Sequence, residues 1–237
     1  MQSTHSAQHL AETSPFAFNC HDALPCFTQC CKDVNIYLTP YDVLRLRRTL
    51  GIGSSEFLSK YTRNFLAKGA NIPVVQLAMD QGTLFCPFVG QDGCRVYEDR
   101  PWACRMFPLD LSSKDGQFRL ITAKDRCMGL FERSKGTVGD WLQSQGVLKY
   151  AEMDKAFQSV VPPRFKPGAP MNEGLGRLLF MAYDLDRFAA LISEARFAKF
   201  HDVDEKTLAL AMQDTEELLM LAFRYIRAEM DALYQIL

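Results

Sequence analysis

The cysteines of this chain place the strongest constraint on how it folds. All of them fall within the first 127 of its 237 residues, and four lie in the single stretch FNCHDALPCFTQCCKD. Buried structural cysteines would be scattered among apolar positions along the whole chain. Their confinement to one half, among turn-forming residues, indicates that this half is organised around thiol chemistry. The eight candidates are Cys20, Cys26, Cys30, Cys31, Cys86, Cys94, Cys104 and Cys127.

Two kinds of thiol chemistry, disulfide bonding and metal ligation, could explain the cluster. Disulfide frameworks belong to short secreted chains, whereas 237 residues can bury a core without covalent staples. The N-terminal MQSTHSAQHLAETSPFAF lacks the basic and apolar regions of a signal peptide, and no apolar run approaches the roughly 18–20 residues that span a bilayer. We therefore expect a cytoplasmic chain whose cysteines bind metal and which has no membrane partner. The formal net charge of −1 also argues against a nucleic-acid partner.

The spacing of the first four cysteines, C-x5-C-x3-C-C, lets one loop supply several ligands to a metal. Zinc ions and iron–sulfur clusters usually take four ligands. Side chains of adjacent residues diverge in extended backbone, so Cys30 and Cys31 more naturally serve two metal ions, or one binds while the other packs. The other four cysteines are widely spaced and must be gathered by folding. Eight thiols are compatible with one four-iron cluster, two zinc ions, or a cluster and a zinc ion.

Charged and polar neighbours of the cysteines suggest further roles. A cation next to a thiol lowers its pKa and stabilises a thiolate, and the cations that adjoin cysteines are Lys32, Arg95, Arg105 and Arg126. Structural ion pairs would explain Arg100 and Arg105 equally well. His21 could be a ligand or a loop residue. Four carboxylates near the cysteines could act as acids or bases or serve as turn and cap residues, and these are Asp22, Asp33, Asp92 and Asp99.

The remaining patterns predict an α+β fold that is predominantly helical. LTPYDVLRLRRTLG predicts a helix with Thr39 as its cap, Pro40 in the first position and Gly51 at its exit. SSEFLSKYTRNFL predicts a second helix. PVVQLAMDQGTLFCPFV predicts a short β-hairpin that turns at Asp80-Gln81-Gly82, and RPWACRMFP predicts a short helix or turn that starts at Pro101.

The second half of the chain contains no cysteine after Cys127 and is dominated by helical patterns that follow a proline-rich connector, VPPRFKPGAP. Asp202 and Glu205 resemble a capping box. One apolar stripe is expected to face a core along the last helix: Leu208, Met212, Thr215, Leu219, Ala222, Ile226, Met230 and Leu233. We expect a flexible arm over residues 1–17, a cysteine-cluster metal-binding region over 18–130, and a helical region over 131–237 that packs on it as one unit.

Several motifs together resemble those of a known family. FNCHDALPCFTQCC, LTPYDVLRL and CPFVGQDGCRVYEDRPWACRMFP, followed by Cys127, resemble the cysteine-cluster proteins named for a C-x2-C-x2-C-C signature. The resemblance covers about residues 16–130 and includes all eight cysteines in order, although Cys20 and Cys26 are five residues apart and Cys26 and Cys30 three. These proteins are described as zinc- or iron-chelating, with flagellin lysine N-methylases among their relatives. The resemblance implies a metal or iron–sulfur centre and assigns no reaction.

Two classes of function follow. The first is a metal-binding protein with an iron–sulfur cluster, of the 4Fe–4S type, or zinc, whose helical half binds a protein substrate or partner; a zinc-stabilised interaction module is one form of it. The second is an S-adenosylmethionine-dependent lysine methyltransferase, which the resemblance suggests. No motif supports that cofactor, because Gly51 and Gly53 follow a helix and C-x5-C-x3-C does not fit the spacing of radical enzymes. The sequence leaves open whether the chain is an enzyme.

Overall fold

A computed structural model describes residues 9–132, 135–162 and 170–236. The chain divides into two compact units. The first, here called the cysteine unit, comprises Met1–Ile36 and Met79–Lys149, and the second, the helical unit, comprises Tyr37–Ala78 and Tyr150–Leu237. All eight cysteines fall in the cysteine unit. The predicted boundary between residues 130 and 131 stays a prediction.

Helix predominates over strand, which confirms the predicted α+β, helix-rich class. The helices are α1 Pro40–Leu50, α2 Ser54–Tyr61, α3 Trp102–Met106, α4 Val138–Ser144, α5 Val147–Gln158, α6 Glu173–Phe180, α7 Leu185–Ile192, α8 Phe197–His201, α9 Glu205–Gln213 and α10 Thr215–Ile236. The strands are β1 Leu10–Ala11, β2 Thr62–Leu66, β3 Pro73–Leu77, β4 Val89–Gly90, β5 Gly93–Cys94, β6 Leu109–Leu111 and β7 Gln117–Leu120. Within the described ranges, every helix is too short or too polar to span a bilayer.

The cysteine unit is built around a small antiparallel sheet in the order β1-β7-β6. Leu10 pairs with Phe118, so part of the segment expected to form an arm belongs to the sheet, whereas residues 1–8 lie outside the described ranges. Phe18 packs edge-to-face on Trp141 with ring centroids 4.9 Å apart, and burying a large apolar side chain stabilises a fold by about 1.5–3 kcal/mol. This contact anchors the chain two residues before Cys20. The core beneath the cysteines contains Leu10, Phe16, Phe18, Met106, Leu109, Phe118, Cys127, Leu130, Val138, Leu142 and Val147.

The start of the helical unit follows its local sequence signals. Thr39 Oγ1 accepts a hydrogen bond from the Asp42 N–H at 3.1 Å, and Asp42 Oδ2 accepts one from the Thr39 N–H at 2.8 Å. This capping box, Pro40 at the first helical position and Gly51 in the left-handed region (φ 66°) define α1 as predicted. Its buried side chains include Leu44 and Leu46.

The turn predicted around Asp80 is present, but the strands of the predicted hairpin pair elsewhere, and the second helix ends earlier than predicted. Thr62 is extended, and β2, predicted as the end of that helix, pairs with β3 from Thr62 opposite Leu77 to Leu66 opposite Pro73. Tertiary pairing therefore overrides the helical spacing of TRNFL. Asp80 Oδ1 accepts hydrogen bonds from the Gly82 and Thr83 N–H groups, and the Asp80 N–H donates to the Phe85 carbonyl at 2.9 Å, which closes the turn. On either side of the turn, β3 pairs with β2 and Phe85 bridges to Lys32.

The helical patterns of the second half are confirmed as five helices, α6 to α10, but two details are wrong. Asp202 ends α8 in the left-handed region, and Asp204 caps α9 by accepting from the Thr207 N–H at 2.9 Å. Extended backbone at Asp214 separates α9 from α10, so the predicted stripe does not follow one axis. Its middle is buried, at Leu219, Ala222, Ile226 and Met230, and its ends at Met212 and Leu233 are exposed. Most of the predicted connector, residues 163–169, lies outside the described ranges.

Candidate metal centre

The first four cysteines lie on a loop of consecutive turns between Asn19 and Lys32. Its backbone N–H groups donate repeatedly to carbonyls three residues earlier, and the loop ends in a 3₁₀ turn over Gln29–Cys31. Thr28 is in the left-handed region (φ 63°) and reverses the chain just before this turn. The first four cysteines therefore share one loop, and their role as metal ligands stays a prediction.

The segment around Cys127 folds against the beginning of this loop. The Met128 N–H donates to Cys26 Sγ at 3.2 Å, and the Asn19 N–H donates to the Gly129 carbonyl at 3.1 Å. A Cβ on Gly129 would lie 2.9 Å from the Asn19 carbonyl oxygen, so this approach requires glycine. The four thiols on this side are called the first thiol set: Cys20, Cys26, Cys30 and Cys127.

A second group of cysteines gathers at the end of the loop. The Cys86 N–H donates to the Cys31 carbonyl at 2.8 Å, and Val89 of β4 pairs with Cys94 of β5. The Phe27 ring packs against Gly93, where a Cβ would lie 3.0 Å from Cζ. This group is called the second thiol set: Cys31, Cys86, Cys94 and Cys104.

Backbone N–H groups two residues further along the chain lie close to three of the sulfur atoms. Cys86 receives one from Phe88, and Cys94 receives one from Val96. Cys127 receives one from Gly129. The next N–H groups, of Val89 and Leu130, donate to the carbonyls of Cys86 and Cys127 at 3.1 and 3.2 Å. Burial raises the pKa of each of these thiols, and the hydrogen bonds to the sulfur oppose that rise because they stabilise the thiolate form. These short turns therefore present fixed positive dipoles to a negatively charged ligand.

Burial and mutual repulsion act in the opposite direction. Burial, followed by the nearby thiols of Cys30, Cys127 and Cys26, raises the pKa of Cys20 from 9.0 to about 11. Burial is also the largest cause of the raised pKa values of Cys86, Cys94 and Cys127. A bound cation would reverse this balance, because a metal deprotonates its thiol ligands.

Cys30 and Cys31 behave as a pair. A hydrogen bond from the Cys31 thiol lowers the pKa of Cys30 to about 7, and the same bond raises the pKa of Cys31. The thiols of Cys104 and Cys86 also raise the pKa of Cys31, after burial. The pair thus lies where the two thiol sets adjoin.

Two arginines fix the segment that carries Cys104. Arg105 is only 7% exposed; its Nε donates to the Arg100 carbonyl at 3.0 Å, and its Nη1 donates to the Gln145 carbonyl at 2.7 Å. Arg100 lies over the Tyr97 ring, 3.7 Å from its centroid, and its charge opposes the rise in the pKa of Cys94 that burial causes. Arg105 thus fixes the backbone of this segment, while the guanidinium of Arg100 lies near a thiol of the second set.

The donor chemistry of the two sets fits a thiolate-bound metal. All eight cysteines are free thiols, and neither zinc nor an iron–sulfur cluster requires more than four ligands. Across residues 9–132, 135–162 and 170–236, no three His, Cys, Asp or Glu side chains are close enough to hold an ion. Binding would therefore draw the thiols of a set together, which is expected of ligands whose anionic forms repel each other without a cation.

His21, the histidine candidate beside Cys20, lies near a carboxylate, and some contributors to the site had no sequence signal. His21 Nε2 lies 3.9 Å from Glu132 Oε2, both being more than one-third exposed. The amide donors to sulfur were not predicted, because any residue can supply a backbone N–H. Gly129, two residues after Cys127, is the one such position with a readable signal, since glycine often marks a close backbone approach.

Residues 19–128 match the model of one protein family, CxxCxxCC, described as "Putative zinc- or iron-chelating domain". The match contains all eight cysteines and both thiol sets. Comparisons with curated proteins and with solved structures found no match. Over residues 19–128 the chain is thus similar to the family that the sequence motifs resemble, one described as zinc- or iron-chelating.

Proposed function

We propose that the cysteine unit binds a metal centre on cysteine thiolates and that this centre is an iron–sulfur cluster of the 4Fe–4S type. The observation that carries the proposal is the set of backbone N–H groups directed at the sulfurs of Cys26, Cys86, Cys94 and Cys127. Hydrogen bonds to the sulfurs tune the potential of iron–sulfur clusters. The spacing C-x5-C-x3-C-C, which is not that of a zinc-ribbon pair, and the Cys86-Pro87 step also favour iron–sulfur over zinc.

When bound, a 4Fe–4S cluster supplies a one-electron redox couple. The residues of the chain hold it and set its surroundings. The amide donors stabilise negative charge on the ligand sulfurs, and Arg100 adds a buried positive charge near Cys94. The core packing of Phe18 and Cys127 keeps water from one side of the first thiol set.

The first test is the composition of protein purified without oxygen and without chelators. We expect equal amounts of iron and acid-labile sulfide, with a broad absorption band near roughly 400 nm. A colourless protein that contains zinc alone would contradict the iron–sulfur assignment. A protein that contains neither metal would contradict the proposal as a whole.

The amide donors can be tested separately at Met128. Met128→Pro removes the N–H that donates to Cys26 Sγ, and the position accepts proline because it begins a 3₁₀ turn after extended Cys127 (φ −128°, ψ 95°). A hydrogen bond to a charged group contributes about 1.5–3 kcal/mol, so metal affinity should fall by about tenfold to a hundredfold. Met128→Leu keeps the N–H and serves as the control. Equal affinities of the two variants would contradict a role for this amide.

The other functional predictions from the sequence stay predictions. Calorimetry with S-adenosylmethionine on the metal-loaded protein tests the methyltransferase hypothesis, and no heat at millimolar ligand would contradict it. A protein partner of the helical unit is proposed on the exposed side chains of Phe200, Leu210 and Met212. Serine substitution of these three residues tests that proposal, with loss of a co-purifying protein as the expected result.

A further inference from the structure

We infer that the eight cysteines form two separate four-thiolate metal centres, with Cys30 ligating one and Cys31 the other. The first centre uses the first thiol set, and the second centre uses the second thiol set. This inference rests on the proposed function, since it requires that the thiols bind metal. It adds the number of centres and the ligands of each, which the match to the family does not assign.

The first set is assembled from two chain segments that contact each other directly. The Met128 N–H reaches Cys26 Sγ at 3.2 Å, and Asn19, next to Cys20, donates to the Gly129 carbonyl at 3.1 Å. The thiols of Cys30, Cys127 and Cys26 all act electrostatically on Cys20. The thiols of Cys26 and Cys30 act likewise on Cys127. Every member of the first set is thus within electrostatic range of at least two others, although the thiols must still move together to bind an ion.

The second set is assembled from different segments. The Cys86 N–H bonds the Cys31 carbonyl at 2.8 Å, and the β4–β5 hairpin returns the chain from Cys86 to Cys94. Cys31 is influenced by the thiols of Cys104 and Cys86, and Cys86 by that of Cys94. Arg100 lies near both Cys94 and Cys104 and supplies the positive charge that a dense group of thiolates needs.

The two sets meet at the adjacent pair. Cys30 and Cys31 share a 3₁₀ turn, in which one residue advances the chain by about a third of a turn, so successive side chains leave in different directions. Cys94 also lies near Cys30, which places the second set directly beside the first. With both sets loaded, Cys30 and Cys31 are thiolates, and their present hydrogen bond gives way to ligation of neighbouring centres.

Serine pairs test the division, with zinc as the probe on the full chain, reduced and freed of metal. Zinc takes four ligands, so the wild type should bind about two equivalents. Cys20→Ser with Cys127→Ser should leave about one equivalent, and Cys86→Ser with Cys104→Ser should also leave about one. The matched control, Cys20→Ser with Cys86→Ser, changes the same number of thiols but breaks both sets and should leave none. Equal zinc contents in all three double variants would overturn the division.

Alkylation of the wild type gives the same answer without variants that could unfold. Zinc is added at one equivalent, N-ethylmaleimide then modifies the free thiols, and intact mass spectrometry counts the labels. Two centres predict a species in which four thiols are protected together, and peptide mapping should assign these four to a single set. A mixture of molecules that carry either eight labels or none would overturn the inference, and so would a protected group of four that includes thiols from both sets. Both outcomes would leave metal binding itself intact. Eight labels at saturating zinc would overturn the inference, whereas the proposed function is contradicted only if protein purified without oxygen and chelators contains no metal.

Discussion

The buried guanidinium of Arg105 gives the sharpest stability prediction for the cysteine unit. Its Nε, Nη1 and Nη2 donate to the carbonyls of Arg100, Gln145 and Glu98 respectively, and the residue is 7% exposed. A hydrogen bond from a charged donor contributes about 1.5–3 kcal/mol, and removing one partner from a buried network costs about 3–5 kcal/mol. We therefore expect Arg105→Gln to lower the free energy of unfolding by about 3–5 kcal/mol, a large share of the roughly 5–15 kcal/mol of a typical domain.

Urea denaturation followed by tryptophan fluorescence measures this loss. Both tryptophans of the chain, Trp102 and Trp141, lie in the cysteine unit, so the signal reports on that unit. Arg119→Gln is the matched control, because Arg119 is half exposed and its ion pair with Asp110, at 2.9 Å, contributes at most about 1 kcal/mol. If the two glutamine variants unfold within about 1 kcal/mol of each other, the reasoning about the buried network is refuted.

Three further predictions concern the thiols and their surroundings. Gly129→Ala should lower the free energy of unfolding by about 1–3 kcal/mol and weaken metal binding, because its Cβ would lie 2.9 Å from a backbone oxygen. Gly139→Ala is the control and should be tolerated, since its Cβ would lie 3.4 Å from the nearest atom. Equal melting temperatures of the two variants would contradict this. Cys86→Ser and Cys104→Ser should each lower the metal content and the melting temperature, and unchanged values in both would contradict ligation. Burial raises the folded-state pKa of Cys20 from 9.0 to about 11, so its contribution to the stability of the metal-free fold is full below pH 9 and is lost towards pH 11. Metal affinity should instead rise with pH, because the thiols must be deprotonated to bind. Urea denaturation and zinc titration at several pH values check the two directions.

Local signals predicted the elements whose ends are set by their own residues. Thr39, Pro40 and Gly51 fix α1 through a cap, a restricted φ and a left-handed exit, all of which are properties of neighbouring residues. The segment TRNFL failed because its structure is decided by β3, a partner several residues away. The break at Asp214 was also missed, since an apolar stripe does not show where its axis changes.

The candidate site divides in the same way. The cysteine types and the loop over the first four of them were readable from spacing, because close ligands need little chain to join them. The grouping of Cys31 with Cys86 depends on a backbone hydrogen bond between distant segments, and the amide donors to sulfur depend on backbone geometry that any residue could adopt. Tertiary contacts of this kind have no fixed pattern in the sequence.

X-ray absorption at the iron and zinc edges tests thiolate ligation most directly. The protein should be purified without oxygen or chelators, and the fine structure of whichever metal it contains should be analysed. We expect a shell of sulfur neighbours around the metal at about 2.3 Å, and for iron a second shell of iron atoms from a cluster. A first shell of nitrogen or oxygen at about 2.0–2.2 Å, without sulfur, would contradict the claim that these cysteines hold the metal.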